Sequence, residues 1–263
     1  MAYLLCGAMA LGFTSCGDDD DEPVAGGNNV ATVFPAGVPS SVGDAVITKN
    51  AEGKVTKIDD GYDVTEFEYG SFTRGTTYQV KMTQYDKEQP SDKLTIFMQL
   101  NAQGYVSHAL EVYSDDDTDT DTWDFGYNAD GQLNYMKRSE GDNEITTITY
   151  TNGNITKVSI VDDEDKTPDV SEIAYTSTDV TTPLENKGGI MLWYYTFGVD
   201  MDEMEVIYYA GLLGKATKNL PVSMKDGEDT STFDWKLNSD KLPIKVTIDN
   251  SWSSYKPSYD IKW

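Results

Sequence analysis

Apolar residues occupy every second position in many short segments of this chain, with polar residues between them. A period of two is the period of a β-strand, whose successive side chains point to opposite faces of a sheet. Tyr and Thr, which favour sheets, are frequent within the same segments. The clearest alternating segments are residues 78–82, 94–100, 106–112, 123–127, 233–237, 244–248 and 259–263. The pattern therefore predicts an all-β fold built from half-buried strands.

A turn signature recurs between these segments, in which Asn is followed three residues later by Gly. It occurs at residues 50–53, 101–104 and 128–131, and in a shortened form at residues 151–155. The Asn side chain begins a turn through its amide, and Gly adopts the positive φ that closes it. The spacing between the later signatures leaves room for two strands each. We therefore predict a meander of antiparallel hairpins.

One segment changes from the strand period to the helix period. Asp200 and Glu203 have the spacing of a capping box at a helix N-terminus, and Gly211 has the position of a C-terminal stop. Apolar residues follow the cap at helical spacing: Met201, Met204, Tyr208 and Leu212. We predict one helix over residues 201–210 that lies on the sheet. The run at residues 188–195, just before it, is the most apolar stretch after the N-terminal segment.

The first 15 residues have the layout of a signal peptide. Residues 4–13 form an apolar run that is shorter than the roughly 20 residues needed to span a bilayer. The tripeptide FTS then precedes Cys16 in the manner of a lipobox, in which a bulky residue and two small ones precede the lipidated cysteine. We predict that residues 1–15 are removed and that Cys16 carries the lipid. Because the segment contains no Lys or Arg, we expect the native start to lie upstream of Met1.

An acidic run follows Cys16 almost directly. Its residues are Asp18, Asp19, Asp20, Asp21 and Glu22. The run resembles the acidic export signal of Bacteroidetes surface lipoproteins, which implies an outer-membrane protein that is lipid-anchored and faces the cell exterior. A solvated tether is the other interpretation, because like charges repel one another and keep a segment extended. We therefore divide the chain into a signal peptide at 1–15, a lipidated acidic tether and linker at 16–40, and a single β domain at 41–263.

Several segments of the chain carry a resemblance to a known family. YAGLLGK at residues 209–215 and KNLP at residues 218–221 carry it, with AVIT at 45–48 and YDIKW at 259–263 as further matches. These segments resemble a Bacteroidetes lipoprotein family of unknown function that is described as having a porin-like fold. The resemblance covers roughly residues 40–263. It implies a curved antiparallel sheet that forms a barrel or half-barrel, and it implies no particular activity.

Charge and cysteine usage exclude several classes of function. The formal net charge is −25 and the basic residues do not cluster, so nucleic acid and other polyanions are poor partners. Cys6 lies in the signal and Cys16 takes the lipid, which leaves no cysteine for catalysis, zinc or a disulfide. The sequence has neither a phosphate-binding loop nor a dinucleotide fingerprint. We expect no cofactor, and we expect a neutral, cationic or apolar ligand.

Candidate catalytic and metal-binding residues have plain structural interpretations. His108 is the only histidine, and it lies two residues from Val106 and from Leu110, so it should share their face of the strand. We therefore expect it in the core or at a cavity rather than in a catalytic triad. The alternating aspartates between Asp115 and Asp121 lack the glycine and the glutamate of a calcium loop, so we predict an acidic hairpin tip without metal. Two carboxylates are enough for glycoside hydrolysis. The sequence therefore leaves two alternatives: a carboxylate-dependent hydrolase and a protein without enzymatic activity.

These observations favour binding of an apolar or lipid-like ligand on the concave face of the sheet, under the predicted helix. The contact residues would be Met191, Trp193, Tyr195, Met201, Met204 and Tyr208, since methionines adapt to irregular apolar partners; the same residues would otherwise pack as a solid core. The alternatives are a glycan-binding accessory protein of a polysaccharide-uptake system, with exposed Trp and Tyr as sugar platforms, and a purely structural surface protein. A membrane-spanning barrel is not expected, because many strands are shorter than the ~9–11 residues that it needs.

Overall fold

The computed structural model describes residues 30–113 and 120–263. Cys16 and the acidic run at 18–22 lie outside these residues, as do residues 114–119 of the predicted acidic tip. The strands are β1 (Ser41–Val42), β2 (Ala45–Lys49), β3 (Val55–Asp59), β4 (Asp63–Arg74), β5 (Thr76–Asp86), β6 (Lys93–Leu100), β7 (Val106–Tyr113), β8 (Thr120–Tyr127), β9 (Leu133–Arg138), β10 (Ile145–Thr151), β11 (Asn154–Val161), β12 (Asp169–Ala174), β13 (Leu184–Glu185), β14 (Asn219–Leu220), β15 (Ser223–Asp226), β16 (Asp229–Leu237), β17 (Pro243–Asn250) and β18 (Ser258–Lys262). The helices are α1 (Val30–Val33), α2 (Glu140–Asn143) and α3 (Trp193–Phe197), with a 3₁₀ helix at Asp202–Tyr208. Within the described ranges, no helix has the length and apolar character needed to cross a membrane.

Sixteen of the described strands form one closed antiparallel barrel. Consecutive strands are neighbours around the wall, except where β12 pairs with β15. The barrel closes where β1 pairs with β18, with Val42 opposite Ile261. Strands β13 and β14 form a separate two-stranded sheet. The predicted all-β meander of hairpins is confirmed, and it curves into a full barrel.

The recurring Asn turns lie at one end of the barrel, which we call the turn end. They join β2 to β3, β6 to β7, β8 to β9 and β10 to β11, because alternate connections of an antiparallel meander fall at the same end. In the β6–β7 turn, Asn101 Oδ1 accepts hydrogen bonds from the backbone N–H groups of Gln103 and Tyr105, and Gly104 has a φ of +77°. Asn238 accepts the two equivalent bonds in the β16–β17 turn at the same end. The local signature therefore determines the geometry of this end.

The opposite end, which we call the loop end, carries longer and more acidic connections. It includes the connections from β3 to β4, β5 to β6, β9 to β10, β11 to β12 and β17 to β18. Asp60 Oδ1 accepts backbone N–H bonds from Tyr62 and Asp63, and Asp162 Oδ1 accepts one from Asp165. The acidic side chains of these connections therefore hold their own loops in place, as is usual for Asp in turns.

A β-bulge in β7 corrects the predicted face of that strand. The register shifts between Val106 and His108, so that Ser107 is the extra residue. Beyond the bulge, Ala109 faces the core, whereas His108 faces outward with its Nδ1 2.8 Å from Asp124 Oδ1. The expectation that His108 lies in the core or at a cavity is therefore wrong, because one extra residue changes the face of every residue that follows.

The outer wall of the barrel carries charged residues of both signs. Ion pairs on this wall join Lys57 to Asp59, Lys81 to Glu68, Lys236 to Asp234, and Lys245 to Asp260. A wall that faces acyl chains is instead an apolar band flanked by aromatic residues. The charged parts of this wall are therefore suited to contact with water rather than with acyl chains.

The segment at residues 175–222 fills the lumen, and we call it the plug. It connects β12 to β15, which are hydrogen-bonded neighbours, so the chain leaves the wall and returns to the same place. At the turn end, the backbone N–H of Val106 donates a hydrogen bond to the carbonyl of Leu212. The plug and the inward residues of the strands share one hydrophobic core, to which the plug contributes Trp193, Phe197, Met204, Ile207 and Tyr208. The lumen of the described barrel is therefore filled by the plug.

The plug contains the predicted helix in an altered form. It is a 3₁₀ helix at Asp202–Tyr208, and no side chain caps its N-terminus. Asp200 Oδ1 instead accepts a hydrogen bond from the backbone N–H of Asp202, which has a φ of +43°. The buried positions are confirmed for Met201, Met204 and Tyr208. The predicted capping box is wrong, because the chain turns sharply at Asp202, where its carboxylate binds Arg138 of the barrel wall.

Residues 30–38, predicted to be part of the flexible linker, pack against the core. The buried residues are Val30, Val33, Phe34 and Val38. The Phe34 ring contacts the rings of Tyr208 and Tyr209 at centroid distances of 5.3 and 6.0 Å. The predicted domain boundary at residue 41 is therefore corrected, since the packed domain includes residues 30–38. The many Gly, Asn and Pro residues near these apolar residues led to the prediction of a linker.

Candidate functional site

The six residues predicted to contact an apolar ligand fall into two groups. Five are at most 1% exposed and belong to the core of the plug: Met191, Trp193, Met201, Met204 and Tyr208. The rings of Trp193 and Tyr208 lie 5.8 Å apart, and Tyr208 donates a hydrogen bond to the carbonyl of Gly189. Tyr195 is 40% exposed and lines a pocket. Five of the predicted residues therefore build the plug, and Tyr195 alone belongs to an open site.

That pocket opens at the loop end, between the plug and strands β1, β2, β3 and β18. Its volume is about 230 Å³. The barrel contributes Val42, Ala45, Ile47, Ile58 and Tyr259 to its walls. The plug contributes Leu192, Tyr195, Asp202, Glu205, Val206 and Tyr209. We call it the tyrosine pocket, and its walls are mostly apolar because the inward residues of three short strands form one side.

Glu205 is the partly buried acid of the tyrosine pocket. Its Oε1 accepts a hydrogen bond from the backbone N–H of Trp193 at 3.0 Å, where α3 begins. Burial raises the pKa of Glu205 to about 7, and the charge of Asp200 adds to the rise, whereas the backbone N–H groups of Trp193 and Tyr194 oppose it. A large share of Glu205 therefore carries a proton near neutral pH and has an O–H group to donate.

An ion-pair cluster holds the tip of the plug against the barrel wall beside this pocket. Arg138 at the end of β9 binds the carboxylates of Asp202 and Glu144, the latter at 3.2 Å. Its guanidinium also lies over the ring of Trp123, 5.7 Å from the ring centroid. Because Asp202 lines the pocket, the cluster positions one of the pocket's carboxylates as well as the plug.

Exposed aromatic residues gather at the same end as the tyrosine pocket. The rings of Tyr195 and Tyr259 lie 4.7 Å apart, and Tyr194 packs edge-on against Tyr195 at 5.3 Å. Burial, with Tyr195 as a neighbour, raises the pKa of Tyr259 well above its ordinary value, so its hydroxyl stays protonated. The exposed aromatic residues of the described chain, which we call the aromatic rim, are Tyr62, Tyr194, Tyr195, Trp252 and Tyr255.

Three carboxyl groups at this end have structural partners. Glu205 caps α3, and Asp202 is held by Arg138. Asp121, at the described end of the predicted acidic tip, accepts a hydrogen bond from Ser139 Oγ at 2.7 Å. Among residues 30–113 and 120–263, no group of three His, Cys, Asp or Glu side chains is placed to hold a metal ion. The described arrangement is therefore suited to ligand binding through apolar walls and single hydrogen bonds.

Sequence reasoning missed most of the tyrosine pocket. The available signal for Glu205 is a carboxyl group between two apolar residues, Met204 and Val206, in the segment with helical spacing. The signal for the opposite wall is the apolar residues at 42–47, which lie close to the predicted linker. Neither signal shows that the two segments meet, since they are brought together by closure of the barrel between β1 and β18.

Comparison with known proteins bears on the fold. Residues 47–252 match a family described as a domain of unknown function (DUF4595) with porin-like fold, and no curated protein matches the chain. The crystal structure of a porin-like protein from Bacteroides uniformis ATCC 8492 has a TM-score of 0.57 and 17% identity, covering 83% of this chain and 89% of that one. A porin-like protein from Bacteroides vulgatus ATCC 8482 has a TM-score of 0.56 and 13% identity, covering 86% of this chain and 98% of that one.

At these identities the two crystal structures show a shared fold alone. The family match spans most of the barrel wall and the whole plug, and it agrees with the resemblance seen in the sequence. The chain therefore belongs to the family of domains of unknown function with a porin-like fold.

Proposed function

We propose that this domain binds a small uncharged ligand in the tyrosine pocket, at the loop end of a lipid-anchored barrel. The observation that carries the proposal is the composition of the pocket, which combines apolar walls with the partly buried carboxyl group of Glu205. Apolar groups gain about 25 cal/mol per Å² when such walls remove them from water. Glu205 adds one hydrogen bond that orients the ligand.

The volume of the pocket narrows the ligand class. Sites for drug-sized ligands occupy about 300–1,000 Å³, whereas the tyrosine pocket has about 230 Å³. One ring or a short aliphatic chain fits it, as does the end of a larger molecule whose remainder lies on the aromatic rim. The space beneath the 3₁₀ helix is taken by Met201, Met204 and Tyr208. The proposed site for the apolar ligand is therefore the tyrosine pocket, and not the space beneath the helix that the sequence predicted.

We place binding ahead of catalysis for this pocket. A glycosidase uses one carboxyl as an acid and a second as a base or nucleophile, and both must be free to reach the substrate. One oxygen of Glu205 is held by the N-terminus of α3, and Asp202, the other carboxyl group of the pocket, is held by Arg138, so the pocket has no second free carboxyl group. Substrate turnover at the tyrosine pocket would count against this assignment.

A glycan is the second candidate ligand, and the aromatic rim favours it. Aromatic side chains offer large apolar faces with a polar edge, on which the apolar face of a sugar ring stacks. Trp252 and Tyr255 are 58% and 73% exposed on one connection, between β17 and β18. The net charge of −25 disfavours acidic glycans through repulsion. A neutral glycan is therefore the form of this alternative that the charge permits.

Ligand-observed NMR tests the proposal with phenol and hexanol as probes. Ala45→Phe fills the tyrosine pocket and should weaken binding of both probes at least tenfold. Ala51→Phe, in the exposed β2–β3 turn, is the matched control and should bind like the parent. If the parent binds neither probe, or if Ala45→Phe binds both normally, the pocket is not the site.

Neutral oligosaccharides test the glycan alternative in the same assay. Trp252→Ala and Tyr255→Ala should weaken oligosaccharide binding and leave phenol binding unchanged, because both residues belong to the aromatic rim and neither lines the pocket. Oligosaccharide binding that survives both substitutions would remove the rim from consideration.

The anchor gives the proposed site an orientation. Val30 lies at the turn end, against Gly211 of the plug. A tether that begins at a lipidated Cys16 would reach the barrel there, and the loop end with its tyrosine pocket would face away from the membrane. Cys16→Ala, expressed with the native leader, should lose partition into detergent. If it partitions like the parent, the lipoprotein assignment is wrong.

Surface display is a separate part of the proposal and rests on the acidic run. The run, Asp18, Asp19, Asp20, Asp21 and Glu22, resembles a surface export signal. Replacing all five by Ala should protect the protein from protease added to intact cells. Equal cleavage of the variant and the parent would leave the run as a tether only.

A further inference from the structure

A second pocket opens at the loop end, against strands other than those that line the tyrosine pocket. Its volume is about 340 Å³. The residues around it are Gln84, Asp86, Gln89, Asp92, Lys93, Leu94, Tyr113 and Glu203. Glu203 comes from the plug, and the others come from β5, β6, β7 and the connection between β5 and β6. We call it the acceptor pocket.

A buried glutamate contacts one residue of this pocket's wall. Glu111 points into the barrel from β7, two residues before Tyr113 of the pocket wall, and it is 1% exposed. Its Oε2 accepts a hydrogen bond from the Tyr113 hydroxyl at 3.3 Å, while its Oε1 has no hydrogen-bond partner. The indole N–H of Trp123 is near enough to influence the pKa of Glu111 but does not reach hydrogen-bond geometry with it. A buried acceptor without a donor is costly.

Gln84 adds a second acceptor of the same kind. Its Oε1 atom is buried and has no hydrogen-bond partner, and its residue lines the acceptor pocket. Lys93 is the cation of this pocket, but its ammonium lies over the ring of Tyr85, 5.1 Å from the ring centroid. The pocket therefore has an oxygen acceptor without a hydrogen-bond partner, whereas its cation, Lys93, interacts with Tyr85.

Other carboxyl groups add negative charge near Glu111. Burial raises the pKa of Glu111 to about 7, and the charges of Glu203 and Asp121 add to the rise. Burial also raises the pKa of Glu203, with Glu140 among the charges that contribute. These carboxyl groups come from the plug, from β8 and from the β9–β10 connection. Their mutual repulsion is relieved by a proton or by a bound cation.

We propose that the acceptor pocket binds the primary ammonium group of an organic amine. An ammonium is compact and carries three hydrogen-bond donors and no acceptor, which complements the two acceptors of the pocket lining, Gln84 Oε1 and the carboxylate of Glu203. A divalent metal is a poorer match, because the described residues hold no group of three ligating side chains. The net charge of −25 also favours a cationic ligand by steering. The inference is independent of the tyrosine pocket, which shares no lining residue with the acceptor pocket.

Isothermal titration tests this with 1,4-diaminobutane as the probe and 1,4-butanediol as its uncharged analogue. At pH 7 and 150 mM salt, which screens general attraction to the acidic surface, the diamine should bind with one molecule per chain and the diol should not. Glu203→Gln should weaken diamine binding at least fivefold. Glu172→Gln, exposed on the outer wall, is the matched control and should bind like the parent.

Proton release gives a second readout that a merely structural role would not change. A bound ammonium lowers the pKa of the carboxyl groups beside it, so titrations in two buffers of different ionisation enthalpy should show protons released on binding. The release should be largest near pH 7 and should fall in Glu111→Gln. Gln84→Leu keeps the charge and removes one acceptor, and it replaces Glu203→Gln if that variant does not fold.

Several results would overturn the proposal. These are equal binding of diamine and diol, equal loss of affinity in Glu203→Gln and Glu172→Gln, or binding of calcium in preference to the diamine. Absence of any diamine binding would show that Glu111 is satisfied by its own proton.

Discussion

The two ends of the barrel are built from the same kind of hairpin and differ in what closes them. At the turn end, the plug is hydrogen-bonded to the turns: the backbone N–H of Lys215 donates to the Gly131 carbonyl at 2.8 Å, and that of Lys218 to the Gly153 carbonyl at 2.9 Å. At the loop end, pockets separate the plug from the wall, and buried carboxyl groups lie beside them. Clefts also open at the turn end, beside Lys187 and Lys215. The two ends therefore differ in chemistry: backbone hydrogen bonds tie the plug to the turns at one end, and carboxyl groups with raised pKa values lie beside the pockets at the other.

The two ends also differ in the features that affect the stability of the fold. Glycines let the backbone approach closely at the turn end, as Gly189 does against residue 33. At the loop end, the buried Glu111 and the partly buried Glu205 have raised pKa values, and such acids reduce stability when they ionise. Residues that weaken a fold without an evident structural gain are typical of binding sites. This contrast supports placing both candidate sites at the loop end.

The largest contrast should come from the same substitution in the two regions. Trp193 is fully buried in the plug and Trp252 is exposed at the loop end. Trp193→Ala should cost about 3–5 kcal/mol of unfolding free energy through the cavity that it leaves, whereas Trp252→Ala should stay within about 0.5 kcal/mol. Urea denaturation followed by circular dichroism measures both. Similar costs for the two variants would mean that the plug does not support the barrel.

Glycine substitutions should separate the two ends next. Gly189 at the turn end has a φ of +70°, and an added Cβ would lie 2.3 Å from the carbonyl oxygen of Val33. Gly227 at the loop end has a φ of +55° and open space around it. Gly189→Ala should therefore cost about 3 kcal/mol, from the left-handed backbone and the clash together, and Gly227→Ala about 1 kcal/mol from the backbone alone. Thermal melts compare them, and equal costs would contradict the close approach at the turn end.

The pH dependence of stability should reveal the partly buried acid of the tyrosine pocket. The pKa of Glu205 is about 7 in the fold, above the 4.5 of an ordinary glutamate. Between these values the unfolded chain has released a proton that the fold retains, so stability falls as pH rises from about 4.5 to about 7. Relative to Glu205→Gln, the parent should lose on the order of 1–2 kcal/mol between pH 5 and pH 7.5. The control, Glu172→Gln, should follow the parent, and a parent curve parallel to that of Glu205→Gln would refute the shift.

The smallest expected effect concerns metal at the acidic loop end. Its aspartates bond to backbone N–H groups and to hydroxyl groups, as Asp60 and Asp121 do. Adding a chelator should therefore move the melting temperature by less than about 1 °C. A bound metal would produce a larger fall on removal, since a ligand stabilises the folded state by mass action.

The strand pattern and the turns were readable from the sequence because both depend on neighbouring residues. Alternation of apolar and polar residues determines which segments form strands, and the Asn and Gly of residues 50–53, 101–104 and 128–131 determine how they reverse. A local effect also caused the main error in the wall. The bulge at Ser107 turned His108 outward, and no periodic pattern marks a single extra residue in advance.

The sequence by itself thus determined the class of the fold, the meander and the inward positions of Met201, Met204 and Tyr208. Tertiary structure decided that the barrel closes between β1 and β18, that the plug fills its lumen, and that residues 30–38 join the core. It also decided that Glu205 and the apolar residues of β1–β3 line one pocket. The physical reason is distance along the chain. Strand and turn formation depend on residues a few positions apart, whereas these sites arise from contacts between segments that only the closed barrel brings together.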